Sequence, residues 1–131
     1  MLSLEIMGGS RMEQTLTAEA VTFAFNQLIP RIKNCTLNVY LASSDSCFET
    51  DDREYEIRIN KNQTGDDFLT AIFHEMVHVK QYARKELKED YDWLGKTYSP
   101  DKVSYWDQPW EKEARRLQFK LAEEFEKSLD A

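Results

Sequence analysis

The two histidines of this 131-residue chain lie four positions apart, in the segment HEMVH from His74 to His78. They belong to a longer stretch, from Phe68 to about Lys85, whose apolar residues recur at the spacing of a helix. Side chains four apart on a helix lie one above the other, with about 5–6 Å between their Cβ atoms. The pattern therefore predicts a helix that presents both imidazoles of the chain on one face.

Two imidazoles at this spacing can bind one zinc ion. Glu75 lies about 100° further round the helix than His74, so its carboxylate reaches the edge of such an ion rather than its coordination shell. There it can accept a proton from zinc-bound water. We therefore predict a Zn²⁺ site with His74 and His78 as ligands and Glu75 as the general base. The alternative is a coincidental pair of histidines beside a glutamate.

The identity of the third ligand stays open at this point. A catalytic zinc ion usually has three protein ligands and leaves a fourth position for water. Because the chain has no third histidine, the third ligand must be a carboxylate, a cysteine or a tyrosine. Metzincins place a glycine and a histidine seven and ten residues after the first histidine of this motif. Gln81 and Arg84 occupy those positions, which excludes a metzincin.

Hydrophobic periodicity predicts an α+β fold around this helix. Residues Thr17 to Ile29 have apolar side chains at helical spacing and precede a proline. Thr36 to Leu41 and Glu54 to Asn60 alternate in the manner of half-buried strands. The polar stretch from 43 to 53 between them fits a loop or a short third strand. We expect an N-terminal helix and a small, mainly antiparallel sheet before the helix that carries the histidines.

The domain organisation is predicted to be simple. No internal repeat and no linker divides the chain, so residues 15–131 should form a single domain. Residues 1–14 contain the flexible sequence Gly8-Gly9-Ser10 and are expected to form a flexible lead-in.

The starts of two helices carry sequence signals. Thr64 is followed three residues later by Asp67, which fits the capping box of the histidine helix. Asp107-Gln108-Pro109 resembles a cap followed by a proline in the first helical turn. The segment between these helices, 86–106, should be an irregular loop because it contains glycine and proline breakers. The last helix is amphipathic, with apolar residues at Trp110, Ala114, Leu117, Leu121 and Phe125.

Composition excludes several classes of function. A net charge of -7 repels phosphate backbones, so a nucleic acid is not an expected partner. No stretch approaches the roughly 18–20 apolar residues that a membrane span needs, so no membrane association is expected. Cys35 and Cys47 are too few for a disulfide scaffold. A cytoplasmic protein with reduced thiols is predicted.

The segment HEMVHVKQY, followed after a loop by PWEKEA, resembles the gluzincin group of zinc metallopeptidases, and in particular its small single-domain members, the minigluzincins. The resemblance covers roughly residues 55 to 125 and implies a zincin-like fold. In gluzincins the third ligand is a glutamate on a later helix, often in the pattern E-x-x-A. The resemblance assigns that role to Glu111 and leaves Ala114 to pack against the histidine helix. Glu113 is the competing assignment.

Two departures from related families are visible in the sequence. Those families often have an aspartate directly after the alanine, where it holds a zinc-binding histidine, but this chain has Arg115. The group that orients the imidazoles is therefore not identified by sequence. The chain is also similar to SprT-like domains, which rely on a third histidine that it lacks.

The resemblance implies a zinc metallopeptidase, most simply an endopeptidase acting on a peptide or protein substrate. Tyr82, Tyr98 and Tyr105 are the candidates for stabilising the oxyanion. The resemblance also implies that the strand from Tyr55 to Asn60 is a candidate edge for pairing with an extended peptide; the alternative is an ordinary structural strand. Two other functions stay open: a non-catalytic binding or regulatory module that contains zinc, and a peptidase that acts on nucleic-acid-bound proteins.

Overall fold

The computed structural model describes residues 2–129 and has an α+β fold with three α-helices and a small mixed sheet. The helices are α1 (Arg11–Leu28), α2 (Asp66–Ala83) and α3 (Pro109–Leu129). The strands of the main sheet are β1 (Leu2–Met7), β2 (Cys35–Ala42), β3 (Ser46–Asp51) and β4 (Glu54–Asn60). None of the helices within residues 2–129 has the length and apolar character needed to cross a lipid bilayer.

The main sheet is mostly parallel, which contradicts the predicted antiparallel preference. Its strand order is β1-β2-β4-β3. Strand β2 pairs in parallel with both β1 and β4, and only β3 pairs with β4 in the antiparallel direction. The parallel pairing of β1 and β2 is possible because α1 connects them and returns the chain to the same end of the sheet. The polar segment expected to be a loop or a third strand contains β3.

The N-terminal segment is not a flexible lead-in. Residues Leu2–Met7 form the first strand, and α1 begins at Arg11 rather than at Thr17. Ser10 accepts a hydrogen bond from the main-chain N–H of Glu13, whose carboxylate accepts one from Ser10 in return, so the helix starts with a capping box. The signal in the sequence was the alternation of apolar residues from position 2 to position 6.

The turn between β1 and α1 depends on the glycine at position 8. Its φ of 85° lies in the left-handed region, and an added Cβ would lie 2.7 Å from the main-chain oxygen of Leu41. Gly8 therefore allows the chain to turn closely against β2.

Helix α2 occupies the centre of the fold, where it contacts α1, α3, β3 and β4. Three phenylalanine rings join the helices at its buried face. Phe73 of α2 lies edge-on to Phe23 of α1 and Phe125 of α3, with ring centroids 6.4 Å and 5.7 Å apart. Phe73 is fully buried. This cluster belongs to one apolar core that also includes the inward faces of β2 and β4.

The predicted capping box at Thr64 does not form. Gly65 is the N-cap of α2, with φ 55° and no side-chain cap hydrogen bond. Asp67 donates its main-chain N–H to the carbonyl oxygen of Thr64 instead. The side chain of Asp67 therefore remains exposed at the start of the helix.

The segment between α2 and α3 is more ordered than predicted. It contains three two-residue strands, β5 (Leu87–Lys88), β6 (Asp92–Trp93) and β7 (Lys96–Thr97), which form a small antiparallel sheet. Trp110, at the start of α3, contacts the rings of Tyr91, Trp93 and Tyr98. Aromatic packing therefore holds the segment against the core.

Candidate metal centre

Helices α2 and α3 bring both histidines and one glutamate to a single point. The imidazole rings of His74 and His78 have centroids 5.0 Å apart on one face of α2. Oε1 of Glu111, in the first turn of α3, lies 2.9 Å from Nε2 of His74 and 3.2 Å from Nε2 of His78. One ligand atom from each of the three residues lies within 4.8 Å of the others.

These three residues fit a metal ion by donor type and by distance. Two imidazole nitrogens and a carboxylate oxygen form one of the common donor sets of catalytic zinc sites. Donors at about 2.0–2.1 Å from a tetrahedral zinc ion lie roughly 3.4 Å from each other. The two distances from the Glu111 oxygen are close to this value. Both separations between the carboxylate and an imidazole are therefore compatible with one small tetrahedral cation.

The local sequence explains how Glu111 reaches the histidines. Pro109 is the first residue of α3, where its missing N–H leaves no hydrogen bond unmade. Trp110 is buried and anchors this turn to the core. Ala114, one turn later, is fully buried, and its small side chain permits a close approach of α3 to α2. Glu111 therefore starts the helix on the side that faces the histidines.

The structure brings Glu111, and not Glu113, to the histidines. The Oε1 atom of Glu113 lies 2.8 Å from the Lys80 ammonium and accepts a hydrogen bond of 3.1 Å from the Gln81 amide. Burial acts to raise the pKa of Glu111, but hydrogen bonds from His74 and His78 outweigh it and hold that pKa well below its ordinary value. An ionised Glu111 is the form that binds a cation.

Two glutamine side chains orient the imidazoles. Gln81 is fully buried, and its amide nitrogen donates to the carbonyl oxygen of Trp110 at 2.9 Å and to Glu113. Since both hydrogens of the amide are used, its oxygen faces Nδ1 of His78, 2.8 Å away. Nδ1 of His78 then donates to this oxygen, and loss of the second ring proton, which Nε2 donates to Glu111, would leave the Nε2 lone pair for a metal ion.

The second glutamine, Gln118, contacts Nδ1 of His74. Oε1 of Gln118, on α3, lies 2.6 Å from Nδ1 of His74. Gln118 is separated by 44 residues from its imidazole, so no local pattern in the sequence indicated it. Gln81 lies three residues after His78 on the same helix, and this spacing was the signal that could have indicated it. Arg115 occupies the position of the expected aspartate but has another role. Its guanidinium packs 4.3 Å from the ring of Trp106 and donates to the main-chain oxygen of that residue.

Glu75 lies beside these ligands and has unused hydrogen-bonding capacity. Only 6% of its surface is exposed, and its carboxylate has no hydrogen-bond partner among residues 2–129. Burial raises the pKa of its carboxyl to about 7. A carboxylate with such a pKa is suited to accept and return a proton near neutral pH.

The three candidate tyrosines have different positions. The Tyr105 hydroxyl donates to Oε1 of Glu111 at 3.1 Å, and burial raises the pKa of Tyr105 to about 12. Tyr82 stacks on Tyr55 and lines a cavity at the site. Tyr98 packs edge-on against the buried ring of Trp110, which is a structural contact. Of the three, Tyr105 makes the direct contact with the candidate ligands.

The strand that could pair with a peptide is not the one proposed from sequence. Strand β4 pairs with β2 on one side and β3 on the other, so it lies inside the sheet. Within the described part of the chain, β3 has one unpaired edge, and it contacts α2. The segment Ser46–Asp51 is therefore the candidate edge for peptide binding.

Gln118 provides a test of the imidazole geometry. We expect Gln118→Leu to lower zinc affinity by about 10–100-fold, because His74 loses the acceptor that fixes its tautomer. Gln118→Glu keeps an oxygen at this position and should keep zinc affinity at or above that of the wild-type protein. Competition with a zinc-chelating dye measures both. Equal losses in the two variants would contradict the positioning role.

No protein-family model, no curated protein and no solved structure matches this chain at a significant level.

Proposed function

We propose that this chain is a zinc-dependent metallopeptidase with a zincin-like fold, similar in its motifs to the gluzincins. The observation that carries the proposal is the convergence of His74, His78 and Glu111 beside the buried carboxylate of Glu75. In each imidazole, Nδ1 contacts a glutamine amide oxygen and Nε2 faces the same oxygen of Glu111. Chance proximity of acidic groups does not account for this arrangement.

The proposed chemistry is amide hydrolysis by water. A zinc ion held by these three side chains would polarise a peptide carbonyl and lower the pKa of a water in its fourth position to about 7. Glu75 accepts a proton from the attacking water and passes it to the nitrogen of the cleaved peptide bond. The Tyr105 hydroxyl lies close enough to Glu111 to donate to the oxygen that becomes negative as water adds.

The remaining residues position the reacting groups. Gln81 and Gln118 hold the imidazoles in one tautomer. The unpaired edge of β3 can bind the substrate backbone in an extended conformation. A peptide or protein is therefore the substrate that we propose. The free thiols of Cys35 and Cys47 support a reducing, cytoplasmic setting.

Metal removal tests this function. We expect the purified protein to contain one zinc ion per chain and to cleave peptides from a mixed pool, detected by mass spectrometry. Incubation with 1,10-phenanthroline should abolish cleavage, and added zinc should restore it. The test also separates the alternatives, because zinc binding without cleavage of any peptide would favour a non-catalytic binding module. Absence of zinc binding would contradict the metal site itself.

A further inference from the structure

Two cavities meet at the candidate site. Their volumes are about 340 Å³ and 360 Å³, within the range of roughly 300–1,000 Å³ typical of ligand pockets. Both are lined by His74, Glu75, Asp45 and Tyr105, and they differ in their other residues. A peptide bond placed at the shared residues would therefore have its neighbouring side chains in two different environments. We name them the acidic cavity and the aromatic cavity, after the residues described next.

In addition to the four shared residues, one of which is Asp45, the acidic cavity is lined by Asp67, Gln63 and Thr70. Neither aspartate has an ion-pair partner in the part of the chain from 2 to 129. Asp45 accepts hydrogen bonds from the main-chain N–H of Asn60 at 2.7 Å and from the Gln63 amide at 3.3 Å, both of which are neutral donors. No lysine or arginine lines this cavity. The imidazole of His74 is the one basic group in its lining, beside the carboxylates of Asp45, Asp67 and Glu75. The lining is therefore predominantly acidic.

Asp67 owes its free carboxylate to the way in which α2 begins. Gly65 caps the helix without a side-chain hydrogen bond, so Asp67 is not used in a capping box. Favourable interaction with the helix dipole is a structural role that Asp67 shares with Asp66, in the same turn. Asp66 does not line the acidic cavity. Asp66 and Asp67 therefore have the same position relative to the helix dipole, but only Asp67 lines the acidic cavity.

Glu75 indicates independently that this space receives a ligand. It is more than nine-tenths buried, lines the cavity and has no hydrogen-bond partner among residues 2–129. Its carboxylate oxygens are not among the enclosed polar atoms of residues 2–129 that lack a partner, so they remain open to a group that enters the cavity. The acidic cavity is thus continuous with the groups that would act on a substrate.

The aromatic cavity has a different lining, which includes Tyr82, Leu87, Tyr91 and Trp110. Leu87 and Trp110 are buried, and Tyr91 packs on Trp110 with ring centroids 5.6 Å apart. Of its carboxylates, Asp45 and Glu75 also line the acidic cavity, and Glu111 faces the two imidazoles. Asp67 is therefore the carboxylate that distinguishes the acidic cavity from this one. The wall of the aromatic cavity is suited to a large apolar side chain.

We propose that the substrates are peptides with a lysine or arginine side chain on one side of the cleaved bond and a large apolar side chain on the other. The basic side chain occupies the acidic cavity between Asp45 and Asp67, and the apolar one contacts Tyr91 and Trp110. This assignment rests on the proposed peptidase function and names the substrate class of the same site.

Peptide binding to zinc-loaded Glu75→Gln protein tests this assignment. The probes are fluorescently labelled octapeptides that consist of alanine except at the two central positions. One central position holds phenylalanine and the other holds lysine, arginine, glutamate or alanine, and each pair is made in both orders. Fluorescence anisotropy measures the affinity of each peptide. We expect one order of the phenylalanine–lysine pair to bind about fivefold more tightly than its glutamate counterpart, the size of an exposed ion pair. Added salt should weaken this preference, since the charges are near the surface.

Variants identify the residues responsible. Asp67→Asn and Asp45→Asn should each reduce the preference for lysine, whereas Asp66→Asn, the matched control, should leave it unchanged. Tyr91→Ala should weaken the binding of phenylalanine peptides and keep the preference for lysine over glutamate. Equal affinity for lysine and glutamate peptides, or a preference that persists in the Asp45→Asn/Asp67→Asn double variant, would overturn the assignment.

The same design separates failure of this assignment from failure of the proposed function. Anisotropy detects peptide binding whether or not the peptide is cut. Cleavage of the peptides by the wild-type protein without a preference for basic residues would overturn the substrate class and support the peptidase. A preference for basic peptides without cleavage by the wild-type protein would support the binding class and contradict the peptidase.

Discussion

Replacing Glu75 with glutamine is expected to lower peptide hydrolysis by about 10²–10⁴-fold, the usual contribution of a general base. Glutamine has nearly the same shape as glutamate, but its amide cannot accept a proton from the attacking water. Because Glu75 is not one of the three residues that converge on the candidate metal position, the bound zinc should be retained. Cleavage rates and zinc content, measured on the same sample, check both parts.

Glu19→Gln supplies the control for this substitution. Glu19 is an exposed residue of α1, away from both cavities, and its replacement should change neither rate nor zinc content. Hydrolysis by the Glu75→Gln protein at the wild-type rate would refute the assigned base. Loss of zinc from that protein would show that Glu75 takes part in metal binding.

Glu111→Gln is expected to weaken zinc binding by more than about 100-fold. This loss should exceed the 10–100-fold that typically follows removal of a group outside the coordination shell. A neutral amide oxygen is a weaker zinc ligand than a carboxylate, and the substitution also removes the negative charge that faces both imidazoles. Zinc affinity is measured by competition with a chelating dye and compared with that of the unchanged protein.

Glu113→Gln is the matched control, two residues further along α3. Its carboxylate interacts with Lys80 and with the Gln81 amide rather than with the imidazoles, so zinc should remain bound in this variant. Thermal unfolding of the metal-free proteins verifies that both variants are folded. Loss of zinc from the Glu113→Gln protein, together with retention in the Glu111→Gln protein, would reverse the ligand assignment.

Local sequence patterns predicted the helices well, because helix formation depends largely on residues close to one another in the chain. The spacing of His74 and His78 and the apolar period of their segment indicated helix α2, and Pro109 indicated the start of α3. Both helices are present with these features. Glu111, the third residue of the candidate metal site, was predicted because its segment resembles the E-x-x-A pattern. Spacing within a single helix does not show which residues of another helix pack against it.

Features that depend on distant contacts were predicted poorly. An alternating pattern identifies a strand but contains no information about the direction of its neighbour, so the mostly parallel sheet was missed. Thr64 and Asp67 had the right residue types for a capping box, but the glycine between them became the cap. The roles of Gln81 and Gln118 depend on the packing of α3 against α2. Gln118 of α3 contacts His74 of α2, and Gln81 of α2 contacts His78 while its amide nitrogen donates to Trp110 of α3.

The phenylalanine cluster at the centre of the molecule has a consequence for the reacting groups. Phe73 immediately precedes His74, so the rotation of α2 that seats its ring between Phe23 and Phe125 also sets the direction of the imidazole. Close packing allows few other rotations, since each would open a void or force a clash. The direction in which Nε2 of His74 points toward Glu111 therefore depends on apolar contacts among three aromatic rings, and any loosening of that packing would also change the orientation of the imidazole.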